Sequence, residues 1–286
     1  MSIEVRNVSL IYNAGTPFET TALANVSFTI EDGEFIGIMG HTGCGKSTVL
    51  QLIDGLITPT SGEILLDSES INDKSYDRSK LRRAIGFVFQ YPECQLFEST
   101  VEKDVSFGLK HSNLSMEEIN DRVKWALEAV GFDYESVRKK SPLGFSGGEK
   151  RRIAIAGILA VKPRILLLDE PIAGLDPLGR AKFIRLLKSL NAHGTTIIMV
   201  SHNSDSIAEC ADRILVFNHG ELVENGNRAK VFADTEKMAA LRISVSQSRE
   251  IAELLEKKGL DIPKNISRYS ELLSAVQNEL KGGGIK

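Results

Sequence analysis

The chain has 286 residues, 42% of them hydrophobic, and a formal net charge of −3 at pH 7. That length supports one large core plus an appendage, and the slightly acidic balance gives no electrostatic basis for nucleic-acid binding. Cys44, Cys94 and Cys210 lack metal-ligand spacing and require no disulfide. The N-terminus lacks a signal-type apolar segment. No apolar run reaches the roughly 18 residues of a spanning helix, so a membrane role is expected only through a partner.

The opening third is expected to be strand-rich. Residues 3–12, 23–30, 35–39 and 63–67 carry alternating or continuous apolar residues between Gly, Pro and Asn turns. The third run, Phe35-Ile36-Gly37-Ile38-Met39, leads into Gly40-His41-Thr42-Gly43-Cys44-Gly45-Lys46-Ser47-Thr48 and then into a helical pattern from Val49. This is the strand, glycine-rich loop and helix context that a phosphate-binding loop requires. The glycines let backbone N–H groups wrap phosphate oxygens, and the new helix directs its positive end at them. Lys46 supplies a point charge for the β- and γ-phosphates of a nucleotide, and the Ser47 hydroxyl is placed to ligate Mg²⁺.

Further along, residues 85–89 read as a strand ending at Gln90, and residues 100–162 read as mainly helical. Residues 116–130 form an amphipathic stretch that Ser115 is expected to cap and Gly131 to follow. Phe145-Ser146-Gly147-Gly148-Glu149 opens another helix, a second N-terminus suited to an anion. Ile165-Leu166-Leu167-Leu168 is a continuous apolar run fit for a strand buried on both faces. It ends in Asp169, a candidate Mg²⁺ ligand, and Glu170, a candidate general base for water attacking the γ-phosphate. Asp176 stands where it caps a helix beginning near Pro177. Residues 196–201 form another apolar run before His202, and His219-Gly220 reads as a hairpin turn. His111, His193 and His219 sit in polar or turn-like surroundings and are expected to be solvated. Beyond residue 234 the chain turns to polar helices with narrow apolar stripes, Ile251, Leu254 and Leu255, then Leu272, Leu273, Val276 and Leu280. Such stripes are expected to seek a partner surface, and Gly282-Gly283-Gly284 to fray.

The serine-glycine-glycine helix start lying between the phosphate loop and Asp169-Glu170 resembles the signature of the ATP-binding-cassette (ABC) family. Phe145 replaces the family's Leu and Glu149 its Gln. A carboxylate there is unfavourable near a phosphate, so Glu149 is expected to point away from the nucleotide. The resemblance implies an α/β P-loop cassette with an antiparallel β lobe and an inserted helical lobe at about residues 91–160. The ATPase domain would occupy residues 1–240 and a C-terminal helical dimerisation extension residues 241–286. It further implies adenine stacking by Tyr12, Mg²⁺ and water sensing by Gln90, and γ-phosphate contact by His202. Ser146, Gly147 and Gly148 would face the ATP of a partner cassette, which Asp176 would support.

Tyr91-Pro92-Glu93-Cys94-Gln95-Leu96-Phe97-Glu98 resembles the corresponding loop in ATPases of energy-coupling-factor (ECF) transporters, and the likeness covers nearly the whole chain. It is strongest to the second of their two paralogous ATPases, in 14–19 and 40–43 as well as Arg151-Arg152-Ile153-Ala154-Ile155-Ala156-Gly157. The implied partners are a paralogous ATPase and a transmembrane coupling subunit docking at Tyr91, Glu93, Leu96, Phe97 and Glu98. A membrane substrate-binding subunit would engage indirectly. The chain would then work as a peripheral protein on the cytoplasmic face of a prokaryotic membrane, energising vitamin or micronutrient uptake. Two other readings stay open, an ATPase of another ABC importer and a soluble, non-transport ABC ATPase. Against the second, Lys46 and Asp169 lie too close in sequence for an inserted coiled coil, and the basic linker that joins the two cassettes of tandem translation factors is absent here.

Overall fold

A computed structural model describes residues 2–110 and 112–282. His111 and the Gly283 and Gly284 of the expected frayed end lie outside the described residues. In chain order the strands are β1 (Ser2–Tyr12), β2 (Thr20–Glu31), β3 (Phe35–Met39), β4 (Ser61–Leu66), β5 (Glu69–Ser70), β6 (Ile85–Val88), β7 (Ile165–Asp169), β8 (Thr196–Val200), β9 (Arg213–Asn218) and β10 (Glu221–Asn227). The polypeptide forms two compact units, Met1–Tyr76 with Ile198–Lys286 and Asp77–Ile197.

In the first unit, β1 lies between β2 and β4 with antiparallel pairing, and β5 completes the order β2-β1-β4-β5. Every residue of β3 is buried. It runs parallel to β9, pairing Ile36 with Arg213 and Met39 with Val216, and β9 returns antiparallel into β10 through His219 and Gly220. Both turn residues have positive φ, as the expected hairpin requires. An all-apolar strand paired in parallel is what a two-faced core demands. The helix Lys46–Ile53 follows and buries Val49, Leu50, Leu52 and Ile53, each such burial stabilising by about 2 kcal/mol.

The C-terminal helices, Gln247–Lys257 and Tyr269–Gly282, belong to this first unit. The two apolar stripes cover each other only in part, through Leu255, Leu272 and Val276. Ala252, Ile262, Ile266 and Leu272 form a buried cluster, with Leu255, Leu260, Ala275 and Val276 packed on it. Ile251, Leu254, Leu273 and Leu280 stay exposed. The pair is also fastened by polar bonds: Arg228 donates to Ser267 and to Glu271 at 3.0 Å, and Arg268 Nε to the carbonyl of Ala208 at 3.0 Å.

In the second unit, β6 and β7 pair in parallel, Ile85 with Ile165 through Val88 with Leu168. Helices occupy most of residues 101–160. Met116–Ala129 begins at Ser115 in a complete capping box with Glu118, which matches the sequence expectation. The helix Gly147–Ala160 packs against the short turn Pro92–Gln95 and against the helices Val101–Ser106 and Met116–Ala129. Among the described residues no helix is long and apolar enough to cross a membrane.

Candidate nucleotide site

The first unit contributes the phosphate loop. Between the buried β3 and the helix Lys46–Ile53, Gly40, Gly43 and Gly45 take φ of 148°, 81° and 104°. A side chain at Gly40 would collide with the carbonyl oxygen of Phe217 and with Cys44 Sγ, and one at Gly45 with Leu23 Cδ2 at 2.6 Å. Two positions of the loop therefore require glycine both for conformation and for space. Lys46 curls back and donates from Nζ to the carbonyls of Gly40 and His41 at 2.7 and 2.8 Å. Burial pushes the Cys44 thiol pKa up, which disfavours the reactive thiolate. His41 and Thr42 are joined by a 2.8 Å contact from Nδ1 to the carbonyl, and the His41 ring lies 4.8 Å from that of His219. His219 is thus a neighbour of the loop as well as an exposed turn residue. Ser47 is exposed and Thr48 half-buried at the start of the helix. Tyr12 ends β1 with 40% of its surface exposed, and His202 is exposed directly after the buried Ser201.

The second unit holds the remaining candidates. Gln90 is exposed just past β6, and Asp169 ends β7 with its side chain buried. Glu170 follows in the left-handed region at φ 50°, a conformation that costs a non-glycine residue about 1 kcal/mol or more. Arg151 donates from Nη2 to the Glu170 carbonyl and from Nη1 to the Ala173 carbonyl, both at 2.7 Å. The sequence marks Arg151 only as part of the family-like run from Arg151 to Gly157 and assigns it no role. Its signal was a charge on the same stripe as the buried Ala154 and Ile155.

At the signature-like turn, Ser146 caps the helix Gly147–Ala160 in a capping box with Glu149. Glu149 accepts from the Ser146 N–H and Oγ–H, so its carboxylate is engaged at its own helix start. Gly147 and Gly148 are exposed, and a Cβ at either would meet nothing within 4 Å. Asp176 Oδ1 accepts the N–H of Gly179 at 2.6 Å and caps the helix Pro177–Ala192, as its sequence position suggested. A cavity of about 700 Å³ separates the two helix starts, lined by Ser146, Glu149, Arg152, Asp176, Leu178 and Phe183.

The loop after Gln90 carries the exposed aromatics Tyr91 and Phe97. Asp104 Oδ2 pins it by accepting the N–H groups of Phe97 and Glu98 at 2.9 and 2.8 Å. Two of its expected surface contributors differ from expectation. Leu96 is buried, 7% exposed, and reaches only the lining of a cavity of about 300 Å³ shared with Phe87, Phe97 and Phe107. Glu98 already pairs with Lys110 at 2.9 Å.

Residues 23–173 match the family model described as ABC transporter. The chain is 47% identical over 277 residues to the energy-coupling factor transporter ATP-binding protein EcfA2 of Clostridium perfringens, covering 96% of this chain and 97% of that protein. It is 44% identical to EcfA2 of Clostridioides difficile over the full length of both. The chain belongs to the ABC transporter family, among its energy-coupling factor ATP-binding proteins. The ABC cassette fold also relates it to solved structures. One is cbiO1 from Clostridium perfringens, described as part of the ABC transporter complex cbiONQ, at 37% identity and a TM-score of 0.73 over 89% of this chain and 98% of that one. Another is a dimeric ATP-binding cassette in a post-hydrolysis state bound to ADP and Pi, at 34% identity and a TM-score of 0.71 over 79% of this chain and 98% of that one.

Proposed function

We propose that the chain binds and hydrolyses ATP as a subunit of an ECF-type importer, energising uptake of vitamins or other micronutrients through a membrane coupling subunit. The observation that carries this reading is the phosphate loop, with its obligate glycines and inward Lys46, in a chain that ECF ATP-binding proteins match from end to end.

Backbone N–H groups of residues 40–48 cradle the phosphates, with Lys46 moving from its own loop carbonyls to the β- and γ-phosphates. Tyr12 stacks on adenine, and His202 contacts the γ-phosphate. Glu170 acts as general base for the attacking water. Ser47, Gln90 and Asp169 offer a hydroxyl, an amide oxygen and a carboxylate, the hard oxygen donors that Mg²⁺ takes. When bound, the ion neutralises charge developing on the phosphate oxygens.

The open backbone at Gly147 and Gly148 and the capped Asp176 serve the ATP held by a second cassette, a paralogue. The exposed Ile251, Leu254, Leu273 and Leu280 extend that pairing surface. Tyr91 and Phe97 form the docking surface for a cytoplasmic helix of the coupling subunit, with Leu96 beneath it and Glu93 and Glu98 at its edge; aromatics of this kind are enriched among interface anchors. The membrane substrate-binding subunit is engaged only through that coupling subunit. The chain thus works as a peripheral protein at the cytoplasmic face of a prokaryotic membrane.

Purification of the tagged chain from membranes tests the reading. It should bring down a paralogous ATPase and two integral membrane proteins. Recovery of the chain alone, or with soluble proteins only, would count against a transporter.

A further inference from the structure

Arg151 lies on the helix Gly147–Ala160 with 5% of its surface exposed. Its guanidinium spans a turn of four residues, holding the carbonyl of Glu170 at one end and that of Ala173 at the other, both at 2.7 Å. The same turn is closed by the Ala173 N–H to the Glu170 carbonyl at 3.3 Å. A planar five-donor cation is suited to bridging two carbonyls at fixed separation, which a single ammonium is not. The clamp acts where help is needed, because Glu170 sits at φ 50°. Such a conformation persists only when its surroundings over-determine it.

The helix that carries Arg151 also packs on the docking turn, Pro92–Gln95. Arg151 Nε is buried without a hydrogen-bond partner, and so is Glu93 Oε2. Burial pushes the arginine's pKa down, while the charge of Glu93, ahead of that of Glu170, opposes that loss. One buried cation therefore meets the backbone of the candidate base and the field of the candidate docking loop, all within one compact unit.

We propose that Arg151 is a positioning residue for Glu170, holding its backbone and tying that turn to the docking loop through Glu93. The proposal rests on Glu170 being the general base. A partner helix that draws on Glu93 would shift the countercharge of the guanidinium and with it the aim of the carboxylate. Docking and hydrolysis are thereby linked without a moving lid.

The test is a double-mutant cycle in the assembled transporter purified from membranes, with kcat, ATP KM and ATP affinity measured for each variant. Arg151→Gln should lower kcat roughly 10- to 100-fold, the scale of a misplaced catalytic group, and leave ATP KM and affinity within about twofold. Arg151→Lys keeps charge but reaches one carbonyl, so its kcat should fall between. In a Glu170→Gln background the Arg151→Gln change should add less than about twofold, because residues acting as a unit are not additive. Glu93→Gln should lower kcat in the otherwise wild-type complex and not in the Arg151→Gln complex. Wild-type kcat in Arg151→Gln, a loss confined to ATP KM, or a full multiplicative loss in the Glu170→Gln background would overturn the proposal. If Arg151→Gln fails to assemble, the same cycle with Arg151→Lys decides by the same criteria. Undiminished turnover of Glu170→Gln alone would instead remove the base assignment on which the proposal stands.

Discussion

Glu149 turns its carboxylate back onto Ser146, accepting the backbone N–H at 2.9 Å and the hydroxyl at 2.7 Å. Those two bonds, the hydroxyl first, hold the Glu149 carboxyl below the usual carboxylate range. A negative charge at a helix N-terminus is favourable there, so the residue that replaces the family's glutamine is spent on the cap. The amide oxygen of glutamine can accept the same bonds. Glu149→Gln should therefore leave ATP turnover of the assembled complex close to wild type, while Glu149→Ala should cost about 1 kcal/mol of stability in urea unfolding. A change of about tenfold in turnover for Glu149→Gln, equivalent to about 1.4 kcal/mol, would mean that the carboxylate acts on the nucleotide.

Two carboxylates should give stability opposite responses to pH. Asp54, desolvated at the end of the Lys46–Ile53 helix, has its pKa pushed up from 3.8 to about 7. Its folded form favours the proton, so its contribution is full below about pH 4 and is lost as pH rises through about 7. Asp54→Asn should be more stable than wild type at pH 8 and lose that advantage at pH 4. Glu271 behaves the other way. Burial raises its pKa, but hydrogen bonds from Arg228 and from the backbone of Arg268 and Ser267 outweigh that and bring it from 4.5 to about 2. Its contribution is present above about pH 4.5 and is lost as pH falls through about 2. Glu271→Gln should be destabilised at pH 7, and the difference should vanish near pH 2. Unfolding curves of wild type and both variants at these pH values check both signs.

The proposed docking surface is testable through its exposed aromatics, since Glu98 is already committed to Lys110. Truncating an interface anchor costs about 1–4 kcal/mol. Tyr91→Ala with Phe97→Ala should abolish vitamin uptake in cells and weaken recovery of the coupling subunit, with ATP affinity of the isolated chain unchanged. Wild-type uptake by the double variant would exclude this loop as the docking site.

Because each ATP is expected to need the signature-like turn of a second cassette, the isolated chain should hydrolyse ATP slowly. Adding the paralogous ATPase should raise turnover. High activity from dilute isolated protein, independent of its concentration, would contradict shared sites.

Much of the fold could be read from the sequence because its determinants are local. The phosphate loop needs only nearby residues to be recognised, and the Ser115 cap needs only Glu118 three positions on. The His219-Gly220 turn is likewise announced by its own residues. What escaped notice depends on long-range approach. Arg151 reaches carbonyls 19 and 22 positions away. The stripes of Leu255 and Leu272 looked unpartnered until the chain folded them onto one cluster. Leu96 looked like a surface residue because nothing in residues 91–98 tells which side chain turns inward. The left-handed φ of Glu170 carries no sequence mark at all, since glutamate there predicts an ordinary backbone.

The most direct test of the account is ATP turnover by the assembled complex carrying Glu170→Gln, measured beside ATP affinity and beside Lys46→Ala. The amide keeps the shape of the side chain and removes the base. Turnover should fall at least about 10²-fold with ATP still bound, whereas Lys46→Ala should weaken binding itself. Undiminished hydrolysis by Glu170→Gln would contradict the assignment of Glu170 and the mechanism built on it.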